Sequence, residues 1–135
     1  MKIILDTNVF VSGIFYSGPP YQILKLWQEN KIQLVISPEI LAEYARVAEI
    51  LGKDHPGIDL QPILRYVIQK ALIIRADPLP ESVCEDSDDD KFIACAVASG
   101  SKWIVSGDKH LLKVSGYRGV ETLKPREFMD RYFND

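Results

Sequence analysis

Cysteine is scarce in this chain, with Cys84 and Cys95 alone among 135 residues, and histidine is equally rare, at His55 and His110. The two cysteines lack CxxC spacing and have no nearby histidine pair, which excludes zinc-finger and dithiol redox motifs; both are expected to be free thiols. Long apolar runs are missing too. The opening Met1-Lys2-Ile3-Ile4-Leu5-Asp6 meets a charge after three apolar residues, too soon for a signal-peptide core or a membrane span, so a cytoplasmic protein is expected. No GxxxxGK[ST] loop or GxGxxG turn is present, which argues against P-loop and dinucleotide chemistry. Internal repeats, low-complexity tracts and linker-like stretches are also lacking.

What is present suits one packed domain spanning residues 1–135: hydrophobic residues make up 47%, charged residues 26% and aromatics 10%. The net charge of −3 conceals a segregation. Asp77, Glu81, Glu85, Asp86, Asp88, Asp89 and Asp90 follow one another without an intervening Lys or Arg. Between Ser101 and Arg126, Lys102, Lys109, Lys113, Arg118, Lys124 and Arg126 face only Asp108 and Glu121. An acidic patch beside a basic one suits a metal site that handles phosphates, and Lys102, Lys109, Lys113 and Arg118 are a candidate path for nucleic acid.

Short apolar runs of strand length occur at Lys2–Leu5, Gln33–Ile36, residues 72–74 and Trp103–Val105, each followed by helical spacing or a turn. The alternation predicts a parallel sheet covered by helices. Ser37-Pro38 opens a helix expected to reach residue 51, with Gly52 as its stop and 52–62 as a turn-rich loop before a helix that ends near residue 71. Further helices are expected over 20–30, 87–100 and 125–133.

In a parallel sheet, Asp6, Ser37 and the Ser106–Asp108 pair all fall at the carboxyl ends of strands, where open α/β sheets bind ligands. Glu43 is placed by its helix: Ile40, Tyr44, Val47 and Leu51 mark the buried stripe, and at roughly 100° per residue Glu43 lies about 60° from its centre, with Glu49 on the opposite side. Asp90 shares a face with Ile93 and Val97 and so points toward the same edge from a first turn, although capping or the helix dipole would also account for an Asp there. Asp6, Glu43, Asp90 and Asp108 thereby converge. Four carboxylates in one cleft require a cation, and oxygen donors without Cys or His favour Mg²⁺ or Mn²⁺. Such ions hydrolyse phosphodiesters without a protein nucleophile.

The ordered set Ile3-Ile4-Leu5-Asp6-Thr7-Asn8-Val9, Ser37-Pro38 with Glu43, the stretch DDDKFIACA from Asp88 to Ala96, and Val105-Ser106-Gly107-Asp108 resembles a PIN domain over essentially the whole chain. It is most similar to prokaryotic PIN proteins described as toxins of toxin–antitoxin pairs, the VapC-like ribonucleases. The resemblance implies a three-layer α/β/α fold with strand order 3-2-1-4-5. It also implies Mg²⁺- or Mn²⁺-dependent cleavage of single-stranded RNA, homodimers and a cognate antitoxin. Asp6, Glu43 and Asp90 match the family's acidic triad and Asp108 its more variable fourth acid. Asn8 and Ser106 match supporting polar positions, whereas Asp88 and Asp89 match no ligand position.

Two departures stand out. Lys109-His110 follows Asp108 where many PIN toxins carry another acid, which predicts a weaker second metal. The loop over 52–62 is long, which bears on dimer and antitoxin surfaces. Read without the resemblance, Asn8 is a turn or capping residue and His110 a solvated or structural one. Trp27, Trp103, Tyr44 and Phe92 read as core rather than base-stacking surfaces. The competing functions are a non-catalytic RNA- or protein-binding module and a haloacid-dehalogenase-like phosphatase. The phosphatase would want acids at Asn8 and just beyond Asp108, where none stands.

Overall fold

A computed structural model of the chain describes residues 1–133. Along it run β1 (Lys2–Leu5), α1 (Thr7–Phe15), α2 (Pro19–Gln28), β2 (Gln33–Ile36), α3 (Pro38–Gly52), α4 (Leu60–Lys70) and β3 (Leu72–Ile73). A 3₁₀ turn (Ser87–Asp89) then leads into α5 (Asp90–Ser99), β4 (Trp103–Val105), α6 (Lys109–Lys113), a second 3₁₀ turn (Tyr117–Gly119), β5 (Glu121–Leu123) and α7 (Pro125–Tyr132). The strands form one parallel sheet in the order β3-β2-β1-β4-β5, flanked by helices, which is the architecture expected.

The central strands read as unbroken apolar runs because both faces are covered. Ile3, Ile4 and Leu5 of β1 and Leu34, Val35 and Ile36 of β2 are each no more than 1% exposed. Each such side chain contributes roughly 1.5–3 kcal/mol of burial. Helix α5 lies across β1, β2 and β4, and α1 packs on α2 and α3. Tyr44 fastens these layers: its ring stacks on Phe10 of α1 with centroids 4.1 Å apart, and its hydroxyl donates to the Leu5 carbonyl at the end of β1. Trp27 is buried, as are Tyr44 and Phe92, and both cysteines are buried free thiols whose pKa burial pushes up to about 12.

Several boundaries differ from expectation. Helix α3 runs through Gly52 instead of stopping there; the missing side chain serves packing, since a Cβ would sit 2.7 Å from Leu60 Cδ1. Helix α4 begins two residues before Pro62, at Leu60, because Asp59 caps it by accepting from the Gln61 amide at 3.1 Å. Gly100 does end α5, with φ +70° in the left-handed region. Helices α1 and α6 and strand β5 were not anticipated from the residues; α1 (TNVFVSGIF) is rich in β-branched and aromatic residues and has no capping side chain. No helix among the described residues is long and apolar enough to cross a membrane.

Candidate functional site

The carboxyl edge of the sheet collects the acids. Asp6 leaves β1 with its amide bound to the Val105 carbonyl at 3.0 Å, so the β1–β4 ladder itself fixes the start of its side chain. The residue is 5% exposed. Ser106, at the end of β4, donates its hydroxyl to Asp6 Oδ2 at 2.6 Å and accepts the Asp108 amide at 2.9 Å, joining the two acids through one oxygen. Asp108 also caps α6, accepting the His110 amide at 2.7 Å. Burial raises the pKa of Asp6; the Ser106 bond opposes this, and the nearby charges of Asp108 and Glu43 add to it.

Glu43 reaches the same edge from the second turn of α3, on the border of its buried face. One carboxylate oxygen accepts from the Thr7 hydroxyl. The other lies 2.6 Å from Lys91 Nζ, with Arg46 at 3.9 Å. Lys91 was not anticipated, nor was Thr7. Asn8, the expected supporting residue, is exposed on the first turn of α1, and its side chain makes no hydrogen bond among the described residues.

The neighbouring aspartates of the third acidic segment divide their orientations. Asp90, placed by its spacing among the converging acids, aims its carboxylate at the preceding loop. There it accepts the Cys84 amide at 2.7 Å and the Val83 amide at 3.2 Å. Burial would raise its pKa, but these amides, with the Cys84 thiol and the Ser82 hydroxyl, outweigh burial and hold it below the usual value. Asp89 instead faces the cluster. Burial, then the charges of Asp108, Asp6 and Asp86, push its pKa up to about 6 against a weaker opposing influence of His110. Its Oδ2 is buried and has no hydrogen-bond partner among the described residues. His110 Nδ1 stands 3.7 Å from both Asp89 Oδ2 and Asp108 Oδ1, too far for a hydrogen bond. Donor atoms of Asp86, Asp89 and His110 lie within 4.8 Å of one another, a grouping that could hold a metal ion.

A signal for Asp89 was present in the sequence. Positions 89, 92, 93 and 96 form a helical stripe in which Phe92, Ile93 and Ala96 are at most 2% exposed, whereas Val97, the last member of the stripe through Asp90, is only half-buried. The expected basic path fares differently. Lys102 precedes β4 and Arg118 precedes β5, so both lie at the amino edge of a parallel sheet, away from the carboxylates. Lys113 closes α6, and Lys109 alone of the four adjoins Asp108 in sequence. All four are exposed. Lys102 and Arg118 are thus separated from Lys109, because strand starts and strand ends lie at opposite edges of a parallel sheet.

Carboxylates gathered at the switch point of a parallel 3-2-1-4-5 sheet, bonded through a serine and including an orphaned buried oxygen, form an acidic cluster that could bind a metal ion in an α/β domain. The PIN domain model matches residues 2–110, and the chain belongs to the PIN-domain family, whose members are typically metal-dependent nucleases. A protein of Methanocaldococcus jannaschii described as uncharacterized is 31% identical over 147 aligned positions, which cover 98% of this chain and 92% of that protein.

Proposed function

We infer that this chain is an Mg²⁺- or Mn²⁺-dependent endoribonuclease acting on single-stranded RNA, with Asp6, Asp89 and Asp108 as the principal cation-holding acids and Glu43 beside them. The observation that carries the reading is the buried, unpartnered Oδ2 of Asp89 beside Asp6 and Asp108. Such an oxygen is costly to leave bare, and the neighbouring acids add to the raised pKa of Asp89 and of Asp6, so a divalent ion fits the donor set. A bound ion supplies Lewis-acid charge at the scissile phosphate and acidifies a water. His110 adds a nitrogen donor at the rim, which suits Mn²⁺ better than Mg²⁺.

The chain's own residues do the positioning. Ser106 holds Asp6 and Asp108 in one orientation, and Thr7 holds Glu43. Lys91, ion-paired with Glu43, carries the cation that can meet a phosphate on entry. Asp90 supports the site by fastening the loop at Val83 and Cys84. The resemblance to VapC-like toxins supports a role as the toxin of a toxin–antitoxin pair, with a cognate antitoxin, a homodimeric assembly and a cytoplasmic setting. The test is cleavage of a labelled single-stranded RNA with Mg²⁺, Mn²⁺ or EDTA, run beside purified Asp89→Asn and Asp90→Asn proteins. Cleavage that needs metal and disappears with Asp89→Asn is expected. Equal activity in the wild type, the Asp89→Asn protein and EDTA would overturn the assignment.

A further inference from the structure

Between β3 and the 3₁₀ turn at Ser87–Asp89, residues 74–86 cross the carboxyl edge without forming a helix or strand. An irregular connection of this length is uncommon in a compact domain and tends to be functional. This one is held at its far end by the Asp90 carboxylate, and together with the starts of α3 and α5 it lines an open cavity of about 520 Å³. That volume lies within the roughly 300–1,000 Å³ of ordinary ligand pockets. Pro78, Leu79 and Pro80 supply its apolar wall; Glu39 and Glu81 bring acceptors, and Lys91 brings a cation.

Lys91 ties this cavity to the carboxylate cleft, because the same side chain lines the one and bonds Glu43 in the other at 2.6 Å. We propose that the cavity is a nucleobase subsite: it receives the base of a nucleotide next to the scissile phosphate and prefers bases that carry an exocyclic amino group. The inference rests on the ribonuclease reading above and specifies how such an enzyme would choose its substrate.

Three features define the occupant. A phosphate cannot enter among Glu39, Glu81 and Asp90 without strong repulsion, yet it can rest on Lys91 at the threshold, so the strand presents its base inward and its backbone outward. A proline and leucine wall offers an apolar surface to a splayed base, and sequence-selective recognition of RNA works on unstacked bases of this kind. Glu39 and Glu81 line the cavity from exposed positions, and a carboxylate is an acceptor, so both match the amino groups of adenine, cytosine or guanine. Uracil lacks an exocyclic amino group and flanks its single N3–H donor with two carbonyl oxygens that the same acids repel, so it is disfavoured.

Binding in EDTA tests the subsite apart from catalysis, using the fluorescence anisotropy of short labelled oligoadenylate, oligocytidylate and oligouridylate. The adenine and cytosine strands are expected to bind the wild type about fivefold or more tightly than the uracil strand. Leu79→Trp, which fills the cavity, should reduce them to the uracil level. Glu39→Gln with Glu81→Gln, at exposed positions that leave the core intact, should narrow the difference even if the tryptophan variant does not fold. Equal affinity for all three strands, no binding of any, or a preference untouched by these substitutions overturns the subsite. Metal-dependent cleavage is measured separately: a base preference without cleavage would sink the nuclease reading alone, and cleavage without a base preference would sink the subsite alone.

Discussion

The second turn of α3 and the first turn of α5 each deliver acids to the same sheet edge, by different means. Glu43 sits one residue before Tyr44, whose ring stacks on Phe10 and whose hydroxyl holds the Leu5 carbonyl, so its direction is fixed by packing on two elements, α1 and β1. Asp89 and Asp90 stand where a 3₁₀ turn becomes an α-helix, and a loop rather than a core decides which of them faces inward. A carboxylate within a packed helix can be aimed from the helical period. One at a helix start depends on the segment before it.

The largest expected effect breaks that contrast directly. Asp6→Asn or Asp89→Asn should lower metal-dependent RNA cleavage by about 10²–10³-fold, the equivalent of several kcal/mol of lost charge stabilisation, while Asp90→Asn lowers it far less. Single-turnover cleavage rates check this, and a mutant order with Asp90 most sensitive would reassign the ligand. Next, Mn²⁺ at about 100 times its Kd should stabilise the wild type by about 2.7 kcal/mol, seen as a rise in Tm, with most of the rise gone in Asp89→Asn.

On the packed side, Tyr44→Phe leaves the Leu5 carbonyl without its partner and should cost about 1–3 kcal/mol in urea unfolding; a change below experimental error would mean the hydroxyl is not holding β1 to α3. On the loop side, Asp90→Asn weakens charged bonds to two amides, and a loss of about 1 kcal/mol or more is expected, with proteolysis appearing first within residues 75–86.

The smallest effect is on pH. Asp89 has a folded pKa of about 6 against an ordinary value of 3.8, so the folded state holds its proton more tightly. That advantage is fully present below about pH 4 and is lost as pH rises through about 6. Metal-free protein should therefore lose stability across this window, and Asp89→Asn should flatten the decline. A decline unchanged by the substitution would place the titrating group elsewhere.

Where the residues repeat a clear period, structure followed from sequence: β1, β2, β4 and α3 lie where the apolar runs and the Ser37-Pro38 start put them. Strand ends also located Asp6, Ser106 and Asp108 at one edge. What escaped was local. The three-residue β5 (ETL) carries too little pattern to announce itself, and α1 is built from residues that favour strands in isolation but are buried against α2 and α3. Three successive aspartates differ by about 100° each, so spacing alone does not fix that Asp90 turns to the Val83 and Cys84 amides while Asp89 turns to the cluster. Thr7 and Lys91 gave no signal, because their partner Glu43 is brought to them only by the fold.

The anchoring of Asp90 to the Cys84 amide gives the two halves of the 74–86 connection different freedoms. Residues 85–88 form a fixed spacer between an amide and the aspartate that turns inward; adding or removing one would shift the helix start and rotate Asp89 away from Asp6. Residues 75–81 carry no such gauge. Their length and chemistry can change without moving the acids beneath out of register, so this stretch can reshape what the edge admits.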